Sequence, residues 1–153
     1  MSRQVSSSIV VSADPATVFD VLADPRQHSL FDGSDSVRGQ VSGPPRLYLG
    51  ATFAMRMHWA APYVVKNTVC EFDEDRRIAW RHFARHVWSY DLEPASDAGG
   101  RAATRVTETF DWGPAPFGFG YERLGLVRRN AAAIEATLQQ LKVLVESRAV
   151  VTR

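Results

Sequence analysis

Cysteine is nearly missing from this chain. Cys70 stands alone, so no disulfide can close within it, and without a CxxC or Cys/His cluster no zinc donor set is legible. Net charge is nearly missing as well: 18 Lys and Arg stand against 17 Asp and Glu. A protein held to nucleic acid by phosphate electrostatics carries a basic excess or stripe, so no nucleic-acid partner is expected. No run approaches the roughly 18 apolar residues of a membrane-spanning helix. Met1 to Val11 carries one Arg and no apolar core of signal-peptide length. No membrane insertion and a cytoplasmic location are therefore the expectations. GxSxG, phosphate-loop, dinucleotide and HExxH patterns are absent too, and no cofactor and no metal are expected.

What is present is an ordinary globular composition, with 45% apolar and 23% charged residues in 153. That size suits one domain, residues 1–153, burying roughly 70% of its unfolded surface. Its longest pattern lies near the C-terminus. Leu124, Val127, Ala131, Ile134, Leu138, Leu141 and Val145 recur at alternating steps of three and four. The spacing predicts one helix from Glu122 to Arg148 with a continuous apolar stripe. Arg128, Asn130, Glu135, Gln139, Lys142 and Glu146 fall outside the stripe.

The remainder reads mostly as strands. Ile9-Val10-Val11 suits a first strand. Asp14-Pro15 reads as N-cap and first helical residue of a short helix, which Asp24-Pro25 ends. A second short helix follows over Arg26 to Phe31, then a turn at Asp32-Gly33-Ser34 and a strand over Asp35 to Val41. Leu47 to Leu49 is a short strand or an extended linker. In Thr52 to Trp59, the residues Phe53, Met55, Met57 and Trp59 share a face. Ala61-Pro62 reads as a turn and Tyr63 to Phe72 as the returning strand; Val64, Lys66, Asn67 and Cys70 leave its inward phase open. Arg77 to Phe83 and His86 to Glu93 form a hairpin symmetric about Ala84, placing Trp80 across from Trp88 and Ile78 across from Tyr90. Arg101 to Trp112 is the last strand, with Val106, Glu108 and Phe110 on one face. The breaker-rich stretch Gly113 to Gly120 reads as a loop. Consecutive hairpins make the sheet antiparallel.

This order resembles the helix-grip fold of the START and Bet v 1-like (SRPBCC) superfamily. Within it, the closest likeness is to the polyketide cyclase/dehydrase and lipid-transport branch, and to an actinobacterial subgroup. The carriers are Ala13 to Asp24 (ADPATVFDVLAD), Arg77-Ile78-Ala79-Trp80, Tyr90-Asp91-Leu92-Glu93-Pro94 and Gly100 to Thr109 (GRAATRVTET). Against the usual pattern of that family, Ala102-Ala103 intervene before the last strand and are expected to lengthen the turn by two residues. The resemblance implies an α+β fold, a curved antiparallel sheet of about seven strands around the C-terminal helix, with a cavity between them. Candidate ligand contacts are then Phe53, Met55, Met57, Trp59, Trp80, His82, Trp88, Tyr90, Val106, Glu108 and Phe110 from the sheet, and Ile134 and Leu138 from the helix. His28 and Asp32 would border the cavity mouth.

Glu108 is the sharpest polar signal, because a carboxyl between Val106 and Phe110 on an apolar face is costly unless paired, and its pKa tends to rise. Glu108, His82 and Tyr90 are the candidate catalytic groups. The expected function is binding of a small hydrophobic molecule such as a lipid, polyketide or aromatic metabolite. The alternatives are an aromatase/cyclase acting on a polyketide, and a protein-interaction module without a ligand. A homodimer through an exposed strand edge is open.

Overall fold

The computed structural model describes residues 3–151. Seven antiparallel strands run β1 (Gln4–Val11), β2 (Val37–Ser42), β3 (Thr52–Trp59), β4 (Ala61–Asp73), β5 (Arg77–His82), β6 (Val87–Ser96) and β7 (Ala102–Asp111). Their order in the sheet is β1-β7-β6-β5-β4-β3-β2. Helices α1 (Pro15–Leu22) and α2 (His28–Phe31) fill the connection from β1 to β2, and α3 (Gly118–Arg123) and α4 (Leu126–Val151) follow β7. This is the expected helix-grip arrangement.

Local chemistry explains the first turns. Asp14 caps α1 by accepting from Thr17 N–H at 2.7 Å, with Pro15 opening the helix. Asp24 repeats the device over a single 3₁₀ turn, Pro25–Gln27, accepting from Arg26 N–H at 3.0 Å. The Trp80–Trp88 and Ile78–Tyr90 pairings stand as the alternation predicts.

Four expectations need correction. The terminal helix is two helices, because Gly125 adopts φ +69° and breaks the run. Leu124 consequently leaves the stripe and is 76% exposed. The stretch Gly113 to Gly120 is not all loop, since α3 begins at Gly118. The hairpin between β3 and β4 pivots on Ala60, at φ +60°, with Ala61 and Pro62 already paired to Trp59 and His58. Ala102 and Ala103 do not lengthen the turn before β7, since both are already strand, paired to Ser96 and Ala95. Of the two alternatives for Leu47 to Leu49 the linker holds; Leu47 is buried, and its N–H donates to Ala23 C=O at 2.7 Å.

The phase of β4 is also settled. Val65, Asn67 and Val69 face inward, and a bulge between Val69 and Glu71 then shifts the register around Cys70. The core divides along α4. Its later turns, through Ile134, Leu138, Leu141 and Val145, are buried, and the helix packs on β1 and β7. Over the inner face of β3 to β6, a space remains.

Candidate functional site

That space is a cavity of about 400 Å³. Its floor is sheet: Phe53, Met55 and Met57 from β3, Val65 and Asn67 from β4, Trp80 from β5, Trp88 and Tyr90 from β6, and Glu108 from β7. Its roof is the first turns of α4, with Leu126, Arg129, Asn130, Ala133 and Thr137. One wall is the segment from Phe31 to Val37; the other joins the β5–β6 hairpin tip to Tyr121 of α3.

Aromatic contacts organise the floor. Trp80 sits at the centre, stacked on His28 at 5.0 Å between ring centroids and edge-on to Phe53 at 5.6 Å. His28 is buried, and its Nε2 lies 2.9 Å from Leu22 C=O, which fixes the proton on that nitrogen. Burial lowers its pKa to about 4, against a smaller opposing effect of the Leu22 bond. The ring therefore acts as a neutral plate under Trp80.

Glu108 is 3% exposed. Tyr90 Oη donates to its Oε1 at 2.8 Å, and among the described residues its Oε2 has no hydrogen-bond partner. Burial raises the carboxyl pKa to about 8; the Tyr90 bond acts against this, and Asp32 adds to it. Burial, with Glu108 beside it, also raises the Tyr90 phenol well above its ordinary value. The pair is thus a neutral acid next to a neutral phenol at pH 7.

At the hairpin tip, His82 and His86 stack at 4.3 Å and 11°. His82 Nδ1 accepts from Ala84 N–H at 3.1 Å, and His86 Nδ1 lies 2.9 Å from Tyr121 Oη. Burial lowers the His82 pKa to about 4, and burial with His82 alongside lowers His86 to about 3. His82 is set apart from the Tyr90–Glu108 pair. Tyr90 is opposite Ile78, and His82 is four residues further along the strand, about 13 Å at ~3.3 Å per residue.

The mouth is held by one segment. Asp32 accepts from Ser34 N–H and Oγ, Ser36 N–H and Val37 N–H, all at 2.7–3.1 Å. Gly33 lets this loop touch α4: its N–H donates to Thr137 Oγ1 at 2.9 Å, and a Cβ there would lie 2.3 Å from Thr137 N. Arg129 donates to Ser36 Oγ at 3.0 Å and lays its guanidinium 4.4 Å over the Trp59 ring. Trp59 is 57% exposed and forms the rim.

Of the predicted contacts, Phe53, Met55, Met57, Trp59, Trp80, His82, Trp88, Tyr90 and Glu108 line the cavity. Val106, Phe110, Ile134 and Leu138 do not line it and are core residues. Phe110 is roofed by Trp88, His86 and Tyr121, whose ring centroids lie 4.6 to 6.0 Å away. Ile134 and Leu138 belong to the buried turns of α4, the helix that packs on β1 and β7.

Sequence reasoning missed Phe31, Ser34, Ser36, Tyr121, Leu126, Arg129 and Thr137. Arg128 and Asn130 are expected outside the stripe; the cavity takes the neighbouring face of α4, where Leu126, Asn130, Ala133 and Thr137 recur at helical spacing, with Arg129 beside them. His28 and Asp32, expected at the mouth, both line the cavity, His28 from its floor. Among the described residues, no group of three His, Cys, Asp or Glu is placed to hold a metal, and no helix is long and apolar enough to cross a membrane.

Known proteins share the fold and much of the sequence. The uncharacterized protein Rv0088 of Mycobacterium tuberculosis is 38% identical over 143 residues, covering 90% of this chain. The chain spans 62% of that relative's length. Protein Ms6760 from Mycobacterium smegmatis has the same fold, with a TM-score of 0.70 at 15% identity over 96% of this chain and 93% of its own. The di-domain ARO/CYC StfQ of the steffimycin biosynthetic pathway superposes with a TM-score of 0.66 at 11% identity, over 96% of this chain and 51% of its own. The family model described as polyketide cyclase / dehydrase and lipid transport matches residues 2–146, and the chain belongs to that family.

Proposed function

We propose that the protein binds a small, mainly apolar molecule, such as a lipid, a polyketide or another aromatic metabolite, between the sheet and α4. The observation that carries this reading is the cavity itself: about 400 Å³, walled by Trp80, Trp88, Tyr90, Phe53 and two methionines, with one buried carboxyl on its floor. Ligand sites have this make-up, a largely apolar surface with few placed polar groups in several hundred Å³. Methionine lets the floor adapt, and Trp supplies stacking area. A domain using its surface alone has no need to keep such a volume empty, which disfavours the interaction-module reading.

Titration with the environment-sensitive dye 1-anilinonaphthalene-8-sulfonate tests the reading. Saturable enhancement at one site is expected, displaced by flat polycyclic aromatics, with tryptophan emission changing in step. Trp80→Ala should weaken binding by about tenfold or more, given roughly 1–3 kcal/mol for a lost stacking surface. Absence of saturable binding by dye and aromatics alike would remove the proposal. Native mass spectrometry of gently purified protein would then name the ligand class.

A second reading, the aromatase/cyclase, draws on one observation: Glu108 keeps its proton up to about pH 8 beside Tyr90. A carboxylic acid in that state can protonate an enolising or dehydrating ketone, while enclosure holds a flexible chain in a reactive shape. Product formation from a poly-β-ketone, abolished in Glu108→Gln with binding retained, would establish it. Binding without turnover favours the carrier.

A further inference from the structure

Occupancy of the cavity leaves open which polar feature its ligand carries, and the charged groups of the wall bear on that. Glu108 has one oxygen engaged by Tyr90, and among the described residues the other has no partner. A buried carboxyl can be completed in two ways. As an anion, it needs a cation or further donors. As a neutral acid, it needs one acceptor for its hydroxyl, since Oε1 already receives the Tyr90 proton.

The remaining lining groups separate these cases. Among the described residues, Arg129 is the one Lys or Arg on the lining, and it makes no ion pair with a carboxylate. Asp32, the other carboxylate, has both oxygens occupied by the backbone and hydroxyl donors of its own loop. His28, His82 and His86 are neutral at pH 7 through burial. A cationic ligand would therefore meet a guanidinium at the roof that no carboxylate pairs among the described residues. It would also require Glu108 to ionise in an apolar floor. An uncharged ligand with a lone pair meets neither cost. The last torsion of a glutamate is broad, so the carboxyl can turn toward such a ligand cheaply.

We propose that Glu108 works as a neutral hydrogen-bond donor, oriented by Tyr90, and that the ligand is an uncharged, largely aromatic molecule whose carbonyl oxygen accepts from it. The inference rests on the cavity-binding reading above and specifies the ligand's chemistry.

Three probes of closely similar shape test it at pH 7 by calorimetry: fluorene, fluorenone and 9-aminofluorene, whose alkyl-type amine is largely ammonium at that pH. Fluorene gains most from leaving water, so any preference for fluorenone reports the carbonyl. Fluorenone should bind at least about tenfold tighter than either of the others, the worth of one well-made hydrogen bond in a dry site. Its carbonyl stretch should move to lower frequency when bound. Glu108→Met should bind fluorene at least as well as the unaltered protein, lose the preference for fluorenone and leave the stretch unshifted. Glu108→Gln keeps an N–H donor and should retain part of the preference.

Equal affinity for fluorene and fluorenone would overturn the proposal and leave the binding reading intact. So would tightest binding of the ammonium, lost in Glu108→Gln, which would mark an anionic amine site. Failure of all three probes to bind would remove both readings. The comparison within the unaltered protein decides the matter even if a variant does not fold.

Discussion

Glu108 reverses the usual bookkeeping for a carboxyl. Most acidic groups gain from folding by being ionised, but this one has a folded-state pKa of about 8, above its ordinary 4.5, because burial disfavours the charge. Between those values the folded protein holds a proton that the unfolded chain has released. Stability contributed by this group therefore falls as pH rises through the window, by up to about 1.4 kcal/mol per pH unit, and is fully lost above pH 8. Glu108→Gln removes the titration. The variant should melt close to the unaltered protein at pH 5 and above it at pH 8.5. A gain of even ~1 kcal/mol corresponds to roughly 2–4 °C in a chain of this size. Thermal melts at the two pH values check this; a variant equally shifted at both would mean that Glu108 does not titrate as described.

At the level of elements, the strands were legible and the joints were not. Alternation alone placed Phe53, Met55, Met57 and Trp59 on one face of β3, and the symmetry about Ala84 gave the Trp80–Trp88 register. Both are local patterns, fixed by the two-residue period of the pleat. Apolar spacing ran unbroken across Gly125, because a glycine in left-handed geometry adds no gap that a stripe count detects. The phase of β4 was hidden by the bulge at Cys70. The mouth depended on Gly33, whose value lies in contact with α4 more than 100 positions away in the chain. Gly33→Ala should show this: a Cβ would sit 2.5 Å from Ala136 Cβ and 2.3 Å from Thr137 N. Both neighbours are part of a helix and cannot step aside, so a loss of about 1–3 kcal/mol is expected, the usual cost of overpacking. Urea unfolding measures it, and an unchanged midpoint would show that the loop relaxes freely.

The molecule as a whole carries opposed titrations. His28, His82 and His86 have folded pKa values of about 4, 4 and 3, below the ordinary 6.5. Below pH 6.5 the unfolded chain takes up protons that these folded residues refuse, so stability falls as pH drops toward 4. Three histidines outweigh Glu108 where the windows overlap; above them Glu108 prevails, joined toward pH 9 by Cys70, whose thiol burial also pushes up. Stability of the ligand-free protein should therefore peak near pH 7 and decline on both sides, as urea unfolding at pH 5, 7 and 9 would record. A monotonic profile would contradict it. The break at Gly125 has its own consequence for the whole. One wall of the cavity is bolted to α4 through Gly33–Thr137 and Ser36–Arg129, whereas the other hangs on a jointed helix, tied to the hairpin by His86 and Tyr121. The two walls therefore depend on different bonds: loss of the His86–Tyr121 contact would free α3 from the hairpin and leave the Gly33 and Ser36 ties to α4 in place.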